Sequence, residues 1–161
     1  MNGATLAPNL TAAMARLRTL DGVLVSAGVQ AIGQASPVDD DAANLVEIAV
    51  TNEFGSDDGR IPARPWLRTS FDRYRKDWQE LAKRAPVDLL AGRNPDNSIR
   101  LLGVKMAGDV KDTLEVGPWT PNAPMTIREK GSDQPLVDTG RLLQSQRAVV
   151  EIPGHDPMLV G

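Results

Sequence analysis

LRTSFDRYRKDWQEL, Leu67 to Leu81, is the stretch on which the fold turns. Leu67, Phe71, Tyr74, Trp78 and Leu81 step by four and three residues, which sets them on one face of a helix. The opposite face carries Arg68, Asp72, Arg73, Arg75, Lys76, Asp77, Glu80, Lys83 and Arg84. It reads as a solvated surface with i, i+4 pairs such as Asp72 with Lys76. Downstream, Pro86 interrupts the pattern and Gly92 to Asn97 make a turn. Ile99, Leu102, Met106, Val110 and Leu114 then mark a second long helix, closed by Gly117-Pro118. Two such helices rule out an all-β body.

Upstream, Leu10, Met14 and Leu17 place an apolar stripe on a helix from Asn9 to Leu20, stopped by Asp21-Gly22. Val23 to Val25 reads as a short strand. Ala27 to Asp41 is expected to be an extended or hairpin connection with an acidic tip, Asp39-Asp40-Asp41. Asp41 is placed as the N-cap of a helix from Ala42 to about Asn52, with Leu45, Ile48 and Ala49 on one face and Gly55 as its stop. Residues 117–135 form a rigid, proline-rich loop. Arg147 to Ile152 and Met158 to Val160 read as strands near the chain end. The expected fold is α+β: one domain, 1–161, with a small, mainly antiparallel sheet packed against two long helices.

Composition narrows the function. Apolar residues make up 41% and charged residues 24%, ordinary values for a globular chain. A net charge of −3 supplies no general field for nucleic acid, so any DNA contact is local or brief. The absence of cysteine excludes disulfides, zinc thiolates and thiol catalysis, and it fits a reducing compartment. The first residues lack the apolar core of a signal peptide, and no apolar run reaches the ~20 residues of a membrane span, so a soluble, cytosolic origin is expected.

The triplet Asp138-Thr139-Gly140, preceded by Leu136-Val137, has the form of an aspartic-protease loop. Such an enzyme needs two carboxylates sharing one proton, and this chain has one triplet. Arg141 stands where those enzymes have a small residue, and Leu142 to Ser145 reads as helical. Asp138 is therefore read as the structural N-cap of a short helix beginning near Gly140, with Leu136 packing onto Leu142 or Leu143. A hydrolase built on Asp138 is the enzyme alternative. His155, the only histidine, sits in a Gly-His-Asp-Pro turn and supports no triad. The three aspartates lack the spacing of a calcium loop, and there is no phosphate-binding glycine loop. No catalytic residue, metal or cofactor is expected.

Two segments remain distinctive: Asn52-Glu53-Phe54-Gly55 followed by Ile61-Pro62-Ala63-Arg64-Pro65-Trp66-Leu67-Arg68, and Thr126, Lys130-Gly131, Pro135 to Gly140, Leu142 and Ser145. In this order and spacing they resemble the neck and tail-completion proteins of tailed bacteriophages, also known as minor tail or virion-morphogenesis proteins. The resemblance runs from Leu45 to about Val150. Trp66 stands in place of the usual Phe, and Val137 in place of the usual Ile. It implies a non-enzymatic component of the virion, assembled in the host cytoplasm. Such a protein forms a homo-oligomeric ring, often a hexamer, at the head-proximal end of the tail. Its partners would be the tail-tube or tail-terminator protein and the head–tail connector or portal-side proteins, with DNA passing only as cargo and no membrane contact. A head-closure or adaptor ring on the portal is the alternative within the same assembly. A ring requires two different complementary surfaces on each subunit. Candidate subunit contacts are Arg60, Arg64, Trp66, Trp119, Arg128 and Arg141, with Trp66 equally readable as a core residue. The Asp39, Asp40 and Asp41 tip is the candidate lumen-facing element.

Overall fold

The structure, a computed structural model, describes residues 6–29, 40–131, 133, 135–136 and 141–161. Its elements are helix α1 (Leu6–Leu17), a 3-10 turn (Arg18–Leu20), strand β1 (Leu24–Val29), helices α2 (Asp40–Phe54), α3 (Trp66–Ala82), α4 (Arg84–Leu90), α5 (Asp96–Val116), α6 (Pro124–Lys130) and α7 (Arg141–Gln144), and strands β2 (Gln146–Glu151) and β3 (Met158–Val160). The chain is α+β. Among the described residues no helix is long and apolar enough to cross a membrane.

The three strands form one antiparallel sheet in the order β1-β2-β3, with Val25 opposite Val150, Ala27 opposite Ala148 and Val149 opposite Leu159. Helix α5 lies on this sheet. The contact is close because position 103 is glycine: a Cβ there would stand 2.8 Å from Val160 and 3.3 Å from Val150. Ala107, Val110 and Leu114, further along α5, are fully buried. On a roughly opposite side of α5, by the helical spacing of its residues, Asp109 and Asp112 meet α3. The Trp78 indole Nε1 donates to Asp109 at 2.7 Å, Lys105 holds the other oxygen of that carboxylate at 2.5 Å, and the Tyr74 hydroxyl donates to Asp112 at 2.5 Å. The sheet thus contacts α5, and α5 carries α3.

Apolar burial falls into two clusters. Ala49, Trp66, Val110, Leu114, Leu136 and Leu142 join α2, α3, α5 and α7. Ala85, Ile99 and Val150, with Leu20, Val23, Val25, Ile152, Met158 and Val160 around them, join α4, α5 and the sheet.

Several local expectations are corrected. The first strand is not limited to Val23–Val25: it runs through Ala27 and Gly28 to Val29, because β2 offers a six-residue partner. The rest of the expected acidic connection, 30–39 and with it Asp39, lies outside the described residues. Asp41 is not an N-cap, since α2 already includes Asp40 and Asp41. Pro86 interrupts the helix as expected, but the break falls upstream of it: α3 ends at Ala82, whose carbonyl a proline four residues on cannot bond, and Pro86 itself sits in the first turn of α4, where no intrahelical N–H is required. Residues 117–135 contain α6, which Pro124 opens at its first position and Gly131 closes at φ 69°.

The buried face of α3 is also rotated from the expected stripe. Trp66, Ser70 and Trp78 are buried, whereas Leu67 is exposed and Phe71 is 54% exposed. Trp66 brings more apolar surface into the first cluster than Leu67 would, and small Ser70 lets α3 approach its neighbours. In α2, Ala49 is buried and Leu45 half-buried, but Ile48 is exposed.

Candidate functional site

The two distinctive sequence segments meet in the first core cluster, where Trp66 of one packs with Leu136 and Leu142 of the other, and the first segment is also bonded to the loop leaving α5. Helix α3 opens with Pro65-Trp66-Leu67-Arg68 and has no local side-chain cap, because Pro65 occupies the N-cap position. The missing acceptor comes from the end of α2. The buried Glu53 carboxylate accepts the backbone N–H of Leu67 at 2.8 Å and of Arg68 at 3.2 Å, and it pairs with the Arg68 Nε at 2.9 Å. Arg68 also donates from Nη2 to the Glu53 carbonyl at 3.2 Å and lies over the Phe54 ring, 5.1 Å from its centroid. A charge-assisted cap at a helix N-terminus satisfies donors that would otherwise be orphaned.

The connection between α2 and α3 is folded back on itself. The Arg64 N–H donates to the Asn52 carbonyl at 2.7 Å, and the Ser56 N–H to the Ile61 carbonyl at 3.0 Å. Gly55 has φ 83°, and a Cβ there would come within 3.0 Å of the Ile61 carbonyl and the Ala63 nitrogen, so the motif needs glycine on both counts. At the exposed tip, Asp58 accepts from the Ser56 hydroxyl at 2.7 Å and the Arg60 N–H at 3.0 Å, and these bonds hold its carboxyl below the usual range.

Arg64 then ties this unit to the second segment. Its Nε donates to the Thr120 carbonyl at 2.9 Å, and its Nη2 to Asn122 Oδ1 at 3.1 Å and the Pro121 carbonyl at 3.4 Å. Burial lowers the pKa of this guanidinium from its ordinary value. On the same strip, the Trp119 Nε1 donates to the Leu114 carbonyl at 2.9 Å, and the ring packs on the first core cluster with Trp66. The result is a clasp: the 52–68 unit grips the loop leaving α5, and the aromatics beneath it enter the core.

Set against the sequence reading, Arg64 (6% exposed) and Trp66 (2%) are not available as subunit-contact residues in this fold; both are consumed inside the chain. Trp119 is half-buried as an anchor of its own loop. Arg60 is exposed and paired with Asp58 at 3.2 Å; Arg128 and Arg141 are exposed, on α6 and at the start of α7. Asp40 and Asp41 open α2. Asp39 and Asp138, with Thr139 and Gly140, lie outside the described residues. Leu136 and Leu142 share the first core cluster, and Leu143 packs against it. Leu136 adopts φ 62°, a strained conformation for leucine of order 1–3 kcal/mol, held by the burial of its side chain.

The bonding roles of Glu53 and Asn122 in the clasp are what the sequence did not reveal. The available signal for Glu53 was negative: a strong helix beginning Pro-Trp-Leu-Arg with no Ser, Thr, Asp or Asn to cap it. Chemically, the clasp fixes backbone and arranges surface. Among the described residues no group of three His, Asp or Glu side chains is placed to hold a metal ion, and the clasp's Glu53 and Arg64 are each occupied by internal partners.

No protein-family model, curated protein or solved structure matches this chain.

Proposed function

We propose that this chain is a structural, non-enzymatic component of a tailed-phage virion: a ring-forming neck or tail-completion subunit that helps join tail to capsid around a DNA channel. The observation that carries this reading is the clasp. Within the first segment that resembles that family, 52–68, Glu53 caps α3 and Arg64 ties the unit to the loop after Val116, while Trp66 shares a core cluster with Leu136 and Leu142 of the second segment. A motif used this way supports a role in holding shape, since no nucleophile or general acid emerges from it. A ring subunit needs two rigid, unlike surfaces. Phe54 and Ile61 remain exposed on one arm of the clasp, and Val116 and Met125 on the helices that flank the loop it holds. Apolar groups fixed on bonded loops lose little entropy on docking.

The test is native mass spectrometry with negative-stain electron microscopy of the purified chain, alone and with tail-tube protein. Closed rings in either condition are expected. A strict monomer in both overturns the proposal. In the same assay Asp138→Asn is expected to alter assembly or stability only; loss of a peptidase activity from a folded variant would establish the hydrolase instead.

A further inference from the structure

Between α4 and the start of α5 lies a cleft of about 430 Å³, lined by Lys83, Arg84, Val87, Asp88, Arg93 and Ser98. Its cations come from two turns. Lys83 and Arg84 meet at the break between α3 and α4, and Arg93 follows the turn that ends α4. Asp88 does not neutralise them all. One of its oxygens takes Arg93 Nε at 2.9 Å and Nη2 at 2.7 Å, and the other takes the Ser98 hydroxyl at 2.5 Å. The carboxylate therefore fixes one edge of the Arg93 guanidinium and leaves Nη1 outside the pairing. Lys83 pairs with Glu80 at 2.5 Å, but both side chains are largely exposed, so the attraction is screened and exchangeable. Arg84 forms no ion pair within 4 Å among the described residues. Three cations thus face two carboxylates, one of which is committed to orienting Arg93.

We infer that this cleft binds a phosphate group. A tetrahedral anion accepts from several directions at once, which suits a guanidinium fork at Arg84, the free edge of Arg93 and the point charge of Lys83. A carboxylate needs a single fork, and Asp88 already fills that role. The exposed Val87 supplies an apolar wall on which the carbon skeleton of a phosphate ester can rest. The group can be a backbone phosphodiester of DNA or a free phosphate, since both present the same oxygens. This inference rests on the cleft alone and holds whether or not the chain forms a ring.

The experiment measures anisotropy of a short fluorescent DNA duplex at low salt, and, in parallel, calorimetric titration with inorganic phosphate. Wild type is expected to bind with a dissociation constant in the range of about 10⁻⁴ to 10⁻⁶ M for the duplex, weakening as salt rises. K83E/R84E should lose at least tenfold in affinity, and the neutral K83Q/R84Q should flatten the salt slope by about one per cation removed. R60E, at an exposed arginine on the clasp, should bind as wild type does. Thermal melts of each variant check the fold. Duplex binding lost in K83E/R84E identifies a nucleic-acid backbone as the source; phosphate binding lost without duplex binding identifies a free phosphate. Absence of both in wild type, or equal binding by K83E/R84E and wild type, overturns the inference.

Discussion

Helices α1 and α5 carry the same kind of apolar stripe and meet opposite fates. In α5, Val110 and Leu114 are fully buried between the sheet and its neighbouring helices. In α1, Leu10 is 64% and Met14 48% exposed, and the helix packs chiefly against α4 and its own 3-10 turn. Periodicity reports that a helix has an apolar face. Whether that face is covered depends on how many elements the chain can bring to it, and a twelve-residue helix is marginal in water without such cover.

The sharpest way to break this comparison is to truncate both stripes. Leu114→Ala should cost about 2–5 kcal/mol in urea unfolding, because it leaves a cavity in a filled site. Met14→Ala should stay within about 0.5 kcal/mol. If the two costs are similar, α1 is far better packed than its exposure indicates.

The clasp offers a middle case, where polar groups and not apolar area hold a helix in place. Glu53→Ala strips the acceptor from the Leu67 and Arg68 N–H groups and should cost about 2 kcal/mol, with the first turn of α3 showing the largest rise in hydrogen exchange. Arg64→Lys keeps the charge but loses the fork, so a smaller loss of about 1 kcal/mol is expected, with faster exchange and altered Trp119 fluorescence around 119–122.

The smallest effect belongs to the surface. The Ser98 hydroxyl, followed by Arg93, holds the Asp88 carboxyl below its ordinary pKa. Since the folded value is depressed, the stabilisation is present above the ordinary carboxylate pKa and fades as pH falls through the folded one. Ser98→Ala should move the Asp88 titration upward towards the ordinary value, followed by carboxyl NMR, with little change in melting temperature because the remaining pair with the largely exposed Arg93 is screened by solvent. An unmoved titration would place the cause at Arg93.

Much of the architecture was legible along the chain. The long helices α3 and α5, the glycine stops at Gly22 and Gly55, and the terminal strands follow from spacing and turn chemistry. The α3 face was misjudged by one helical position because Trp66, outside the expected stripe, contributes more buried surface than Leu67 or Phe71. Of the clasp, only the 52–68 arm was legible, as a motif. Nothing along the sequence joins Arg64 to Thr120 and Asn122, more than fifty residues away.

By itself, then, the sequence determined the α+β class and the places of the two long helices and the terminal strands, because backbone preferences and apolar periodicity act over a few residues. The tertiary structure decided which stripe became core, that Arg64 and Trp66 turn inward, and that the cap of α3 is Glu53. Those choices depend on which distant atoms compete for the same buried volume and the same unsatisfied donors, and that competition exists only once the chain has folded.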